Sequence, residues 1–292
     1  MPAISIIIPT RQRAAIFTQT LEAAVKAISA MDAEIIVVND CETEDISYSH
    51  PQVRVYKNRG RGVSVARNYG AEMANSPLLL FIDNDILISN DNITRMLAMH
   101  GRKEHIIVNA NWEYPPELRA GFSKNQFARV ICFWKQDSFK NRYTSFNGPW
   151  QDEPFAAIWP FAGFCFSVSK ADFMEFARFN EENIFGGEEE EVSKKIGGQL
   201  EYWIDPLNIV YHNETDKLSG YREWLKRIDI NKADREAFMK NGVKGFLLRA
   251  ASVLLPLNYF ILDHFPNRPA FDKMYARLLY FQSLILKNKR QR

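Results

Sequence analysis

Three short apolar runs in the first ninety residues each end on a proline or an acidic turn, and that repeated ending constrains the fold more than any other feature. Ile4-Ser5-Ile6-Ile7-Ile8 stops at Pro9, Glu34-Ile35-Ile36-Val37-Val38 at Asn39-Asp40, and Leu78-Leu79-Leu80-Phe81-Ile82 at Asp83-Asn84-Asp85. Apolar runs this short, rich in β-branched residues, predict strands buried on both faces. Helical spacing fills the intervals: Ile16, Leu21, Val25 and Ile28 share one side, and Gly62 opens a second helix to about Asn75. Val53-Arg54-Val55-Tyr56 is a further strand. The alternation predicts an α/β fold, Rossmann-like, with a mostly parallel sheet flanked by helices. Ligands of such sheets sit beyond the carboxyl ends of the strands. Pro9, Asp40 and Asp83 all fall there.

The second half is less regular. Tyr114 to Gln151 is polar and aromatic, with Pro115-Pro116 and Gly148-Pro149, and reads as a substrate-facing insertion. Trp159 to Val168 predicts a strand, and Ser169 caps a helix with Asp172 three residues on. Glu188 to Ile196 predicts a short helix whose acidic residues suit its first turn. Leu200 to Ile204 and Ile209 to Tyr211 predict two strands, the second leading into His212. Phe271, Met274, Tyr275, Leu278, Leu279 and Ile285 follow helical spacing. These signals divide the chain into 1–215, itself split at 113/114, and a helical, basic, amphipathic extension over 216–292.

Charge and cysteine use narrow the classes. Lys and Arg number 37 against 35 Asp and Glu, and a net charge of +2 gives no case for nucleic-acid binding. From Lys244 onward, nine basic residues face two acidic ones. This basic segment reads either as a packing helix with a charged end, Lys287 to Arg292, or as a contact with anionic lipid, the reading preferred here. Each cation near such a surface contributes about 1 kcal/mol, enough in sum to hold the protein at a bilayer. The run Phe246 to Leu262 is broken by Arg249, Pro256 and Asn258, so no spanning helix is expected. Cys41, Cys132 and Cys165 lack C-x-x-C spacing and read as reduced thiols. With no signal peptide evident, the expectation is a cytoplasmic protein, peripheral at the inner face of the plasma membrane.

Asp83-Asn84-Asp85 carries the sharpest chemistry. Two carboxylates in one turn can hold a hard divalent cation completed by water and phosphate oxygens. An ordinary polar turn, with Asp91 capping the next helix, stays open on spacing alone.

At this point the chain resembles the family 2 glycosyltransferases of the GT-A fold. The resemblance rests on Ser5-Ile6-Ile7-Ile8-Pro9-Thr10, Ile36-Val37-Val38-Asn39-Asp40, Ala66-Arg67-Asn68 and Phe81-Ile82-Asp83-Asn84-Asp85, in that family's order. The second half is similar to the β-1,4-galactosyltransferase and chondroitin-polymerase type, through Gly186-Gly187-Glu188-Glu189-Glu190-Glu191 and Tyr211-His212. Pro9-Thr10-Arg11-Gln12-Arg13 resembles that type's donor loop.

The resemblance implies a nucleotide-binding half over 1–113 and an acceptor half with the base over 114–215. It implies that Pro9, Thr10, Arg11 and Asp40 surround the nucleoside and that Arg13 and Arg67 face the diphosphate. Asp83 would contact ribose or a metal-bound water, and Asp85 and His212 would ligate Mn²⁺ or Mg²⁺, with Asp83 as a further candidate ligand. Glu189 would be the base of an inverting transfer, with Glu188 gripping sugar or acceptor and standing in if the four-glutamate register slips by one. The implied enzyme takes a nucleotide sugar, UDP-linked, and serves a glycan or lipid-linked acceptor in surface polysaccharide synthesis.

Each residue also has a plainer reading. Arg67 fits a solvated helix, His212 a structural position after a strand, and the glutamates a solvated helix face. The sequence departs from the type at Asn39, Cys41, Phe185 and Ile209, the last where the type offers a methionine ligand. The alternatives are a sugar-phosphate nucleotidyltransferase and an inactive sugar-nucleotide-binding module. The first lacks the glycine-rich loop, no glycine occurring before Gly60; the second sits poorly with Asp83, Asp85, Glu189 and His212 all present.

Overall fold

The computed structural model of the chain describes residues 2–11, 14–43, 45–132, 150–157, 161–182, 187–214, 221 and 255–289. The apolar runs become parallel strands: β1 (Ile4–Thr10), β2 (Ala33–Asn39), β3 (Val53–Lys57) and β4 (Leu78–Ile82), in the order β3-β2-β1-β4. Every residue of β1, β2 and β4 is buried, as continuous rather than alternating hydrophobicity requires. Helix α1 (Ala14–Ile28) makes the first crossover and α2 (Val63–Met73) precedes β4. At Gly70 of α2 a Cβ would stand 2.5 Å from Ile7 Cγ2, so glycine lets this helix lie unusually close on β1.

Beyond β4 the sheet is mixed, in keeping with the expectation of a mostly parallel sheet. Strand β5 (Ile86–Leu87) and helix α3 (Asn90–His100) follow β4; then come β6 (Ile106–Glu113), α4 (Pro116–Ala120) and β7 (Phe155–Ala157). Strand β8 (Cys165–Ser169) runs antiparallel to both β4 and β6. After it come α5 (Lys170–Asp172) with a π turn at Phe173–Ala177, α6 (Glu188–Ile196) and β9 (Glu201–His212). The described strands form one sheet, ordered β3-β2-β1-β4-β8-β6-β9-β5, with β7 on β9.

Three local expectations are revised. The strand foreseen from Trp159 begins at Cys165, because Phe161 to Gly163 turn inward to bond other elements; Trp159 lies outside the described residues. The two strands foreseen at 200–204 and 209–211 are one, β9, whose pairing with β6 skips from Asp205 to Ile209. Pro206, which has no N–H for a ladder, sits in that bulge. Helix α3 is capped by Ser89 in a reciprocal box with Asn92, and Asp91 stands only in its first turn.

The chain divides into two compact units, 1–115 with 139–213 and 116–138 with 214–292. Part of the foreseen insertion therefore belongs with the C-terminal residues. In that second unit, α7 (Leu255–Asp263) and α8 (Asp272–Lys289) are helical, and Arg129 donates to Asp272 through Nε at 2.7 Å and Nη2 at 2.8 Å. Helix α8 buries Tyr275 and Leu279 while exposing Met274 and Tyr280, and α7 exposes Leu257, Phe260 and Ile261. No described helix is long and apolar enough to cross a membrane. All three cysteines are buried thiols. Burial pushes the Cys132 thiol up to about 12 and Cys165 higher still, so neither is a ready nucleophile.

Candidate active site

Strand pairing brings together groups that the sequence keeps far apart. Ile86 of β5 stands opposite His212 of β9, and the Asn213 N–H donates to the Asp85 carbonyl at 2.7 Å. As a result His212 Nε2 lies 3.1 Å from Asp85 Oδ1 across a separation of 127 residues. Both side chains are largely buried, at 15% and 3% exposure. Trp112 meets the imidazole edge-on at 5.3 Å and Phe164 lies nearly parallel to it at 6.4 Å, which limits how the ring can turn. Glu214, two residues after His212, offers a third ligand atom, and the three atoms lie within 4.8 Å of one another. Two carboxylates and an imidazole suit Mn²⁺ or Mg²⁺ as a donor set.

Beside this group stands a buried arginine. Arg67, on α2, is 2% exposed, and its Nη2 donates to Asp83 Oδ1 at 2.9 Å and to the Gly163 carbonyl at 3.0 Å. Its Nη1 lies 3.5 Å from Glu188 Oε1, and the guanidinium covers the Phe179 ring at 5.0 Å. Burial opposes the Arg67 charge, but Asp83, Glu189 and Glu188 outweigh it and hold the side chain firmly cationic. Desolvation lifts the Asp83 carboxyl above its usual range; Arg67 and His212 pull it back while Asp85 and Glu189 push it further. The solvated-helix reading of Arg67 is excluded. Asp83, foreseen as a possible metal ligand, spends an oxygen on Arg67 and is outside the Asp85–His212–Glu214 group.

Glu188 and Glu189 open α6, entered through Gly187 at φ 81°, a left-handed conformation that favours glycine. Both are half-buried, whereas Glu191 is exposed. A Cβ on Gly163 would overlap Glu189 Oε1 and fall 3.0 Å from Arg67 Nη2, so this glycine is what admits the two side chains. Gly163 belongs to a turn held from three sides. Ala162 exchanges hydrogen bonds with the Asn109 side chain at 3.1 and 2.7 Å, and the Phe164 carbonyl accepts from Asp83 N–H at 2.9 Å. Sequence reasoning missed Asn109, Gly163, Phe164 and Glu214. The small pair Ala162-Gly163 inside an aromatic run was the available signal.

At the ends of β1 and β2, Pro9 and Thr10 are buried and Arg11 is exposed. Thr10 Oγ1 accepts from Asn84 Nδ2 at 3.1 Å, tying the first strand end to the acidic turn. Asp40 accepts from Asn58 Nδ2 at 2.7 Å and from Gly62 N–H at 3.0 Å, so it anchors the entry to α2. Arg13, Phe185 and Gly186 lie outside the described residues.

The architecture is that of the GT-A fold. It aligns with the mannosyltransferase PcManGT from Pyrobaculum calidifontis, solved with GDP-Man and Mn²⁺, at a TM-score of 0.54 and 14% identity, covering 98% of this chain and 87% of that one. GalNAc-T7, solved with UDP, GalNAc and Mn²⁺, aligns at a TM-score of 0.52 and 16% identity, covering 73% of this chain and 44% of that one. The family model of glycosyl transferase family 2 matches residues 5–172, and the chain belongs to that family. Among curated relatives, validoxylamine A glucosyltransferase of Streptomyces hygroscopicus subsp. jinggangensis is 26% identical over 221 residues, 67% of this chain and 51% of that protein. The chain thus spans about half the length of that relative.

Proposed function

We propose that this chain is an inverting, metal-dependent glycosyltransferase, taking a UDP-linked sugar to a glycan or lipid-linked acceptor in surface polysaccharide synthesis. The observation that carries the reading is the Asp85–His212 pair at 3.1 Å, with Glu188 and Glu189 around Arg67 in the same unit. Asp85, His212 and Glu214 would hold Mn²⁺ or Mg²⁺, which would offset charge on the departing diphosphate. Pro9, Thr10, Arg11 and Asp40 form the nucleoside side, with Arg13 assigned to the diphosphate. Arg67 Nε and Nη1 make no hydrogen bond, leaving N–H groups for an oxyanion. Asp83 holds the Arg67 fork and faces the ribose.

Glu189 takes the proton of the acceptor hydroxyl as that oxygen attacks the anomeric carbon, and Glu188 orients the sugar or acceptor. Arg67 sets a cationic guanidinium beside both carboxylates. The exposed apolar side chains of α7 and α8, together with basic Lys273 and Arg277, support a peripheral contact with an anionic bilayer.

A panel of UDP- and GDP-sugars, assayed for nucleotide release with Mn²⁺, tests the reading. UDP release is expected, lost on chelation and lost in Asp85→Ala. Turnover that survives chelation, or an Asp85→Ala enzyme of normal rate, would remove the metal from the mechanism. A preference for GDP-sugars would replace the donor.

A further inference from the structure

Asn68 follows Arg67 on α2, and the functional reading above leaves it without a task. It is 1% exposed, and its amide is fully spent on one short segment. Phe179 N–H donates to Asn68 Oδ1 at 3.0 Å, while Asn68 Nδ2 donates back to the Phe179 carbonyl at 2.9 Å. The same Nδ2 reaches Glu181 Oε1 at 3.0 Å. A side-chain amide that pairs with both backbone groups of one residue copies a strand pairing, and no carboxylate or hydroxyl can do the same.

The clasp sits at a point of consequence. Phe179, the residue it fixes, carries the ring beneath the Arg67 guanidinium at 5.0 Å. Eight residues further on, the chain reaches Gly187 and the carboxylates of Glu188 and Glu189. From α6 itself, Val192 and Ile196 are buried in the core and hold the later turns. The first turn carries only glutamates, and besides Arg67 near Glu188 it is tied to the clasped segment itself, where Asn180 Nδ2 donates to Glu191 Oε1 at 2.6 Å. Among the other ties of that segment, the Phe179 ring packs in the core, while Arg59 to Glu181 at 2.6 Å and Arg178 to Glu72 at 2.6 Å are partly exposed ion pairs of small individual worth.

We propose that Asn68 is a positioning residue for the transfer step: it locks residues 178–182 onto α2, and so sets where the first turn of α6 presents Glu188 and Glu189. The inference rests on the reading of those glutamates as the acceptor-side groups. It predicts a larger loss in turnover than in donor binding, because the clasp touches none of Thr10, Asp40, Asp85 or His212 and reaches the donor side only through the Phe179 ring beneath Arg67.

The test is Asn68→Asp, which keeps the shape but turns an oxygen toward the Phe179 carbonyl and the Glu181 carboxylate. Asn68→Ser, which removes both backbone bonds without adding charge, is the second variant should the first fail to fold. In either, kcat is expected to fall about 10- to 100-fold, the scale of a misplaced catalytic group. Affinity for UDP with Mn²⁺, read by calorimetry, is expected to fall far less than kcat, by about threefold at most, since Arg67 is the one donor-side group the clasp reaches. Amide exchange over 187–191 should quicken, and Glu181→Gln should restore part of the kcat of Asn68→Asp by giving the new carboxylate a donor. Normal kcat with unchanged exchange would overturn the proposal at the clasp itself. A parallel loss of UDP affinity would overturn it in favour of a general structural role. Faster exchange with undiminished kcat would instead show that Glu188 and Glu189 are not the acting groups, and would fault the functional reading rather than the geometry.

Discussion

The two ends of the parallel strands each bury a carboxylate beside an arginine, and they treat it in opposite ways. At the amino end, Glu34 accepts from Ser5 Oγ at 2.5 Å, from Asn75 N–H at 2.6 Å and from the Arg54 guanidinium, while Ser5 Oγ also lies 2.8 Å from Ser76 Oγ. Burial alone would lift the Glu34 carboxyl, yet hydrogen bonds from Ser5 and Asn75 and the charge of Arg54 hold it below its ordinary value. At the carboxyl end, one arginine serves Asp83, Glu188 and Glu189 together, and the Asp83 carboxyl is lifted instead. The first network is satisfied and stabilises the sheet. The second crowds like charges around a single cation, an arrangement that costs stability unless a ligand uses it. The contrast marks the second cluster as the candidate site without reference to any relative.

The sharpest way to break this contrast is at Glu189. Replacing it by Gln should lower kcat by about 10²- to 10⁴-fold, the usual worth of a general base, with the melting temperature unchanged or raised. Stopped-flow or discontinuous transfer assays alongside calorimetry would read both. Near-normal turnover would return the glutamates to a solvated helix face.

Gly163→Ala probes the same cluster through space rather than charge. The added Cβ forces Glu189 and Arg67 apart, and kcat should fall about tenfold or more, at a stability cost of about 1–3 kcal/mol for overpacking. Full activity with normal stability would mean that the close approach of the two side chains is unimportant.

The smallest effect on turnover belongs to the other end. Glu34→Gln should cost about 1–3 kcal/mol of stability and leave kcat and donor affinity unchanged. Because the folded carboxyl titrates below its unfolded value of about 4.5, its contribution is present above that pH and lost as pH falls through the lower folded value. Thermal melts from pH 7 down to pH 3 should therefore show a shallower acid decline in the variant than in the wild type. A variant whose activity collapses would place Glu34 in the functional cluster and erase the comparison.

Much of the first half was legible because local chemistry decided it. Unbroken apolar runs had to be buried on both faces, and Asp40 and Asp83 marked where β2 and β4 stopped, whereas β1 continues through Pro9 to Thr10. The helix from Glu188 to Ile196 was also readable, from its acidic start and basic end. The turn around Gly163 was not, because its importance lies in Asn109, Arg67 and Asp83, none of which is a neighbour in the chain. Glu214 escaped for a related reason. A carboxylate after a strand has no distinguishing pattern until pairing sets that strand beside Asp85.

Apart from β5, β6 and β7, which no pattern announced, the sequence by itself determined the parallel strands of the first half and which acidic residues stand at their carboxyl ends. These are matters of hydrophobic period and turn chemistry, and they act over a few residues. Only the tertiary structure decided that Asp85 meets His212, that Arg67 is shared among three carboxylates, and that Asn68 grips Phe179. Such pairings depend on strand register and on close approach between distant backbones, quantities that no local pattern encodes.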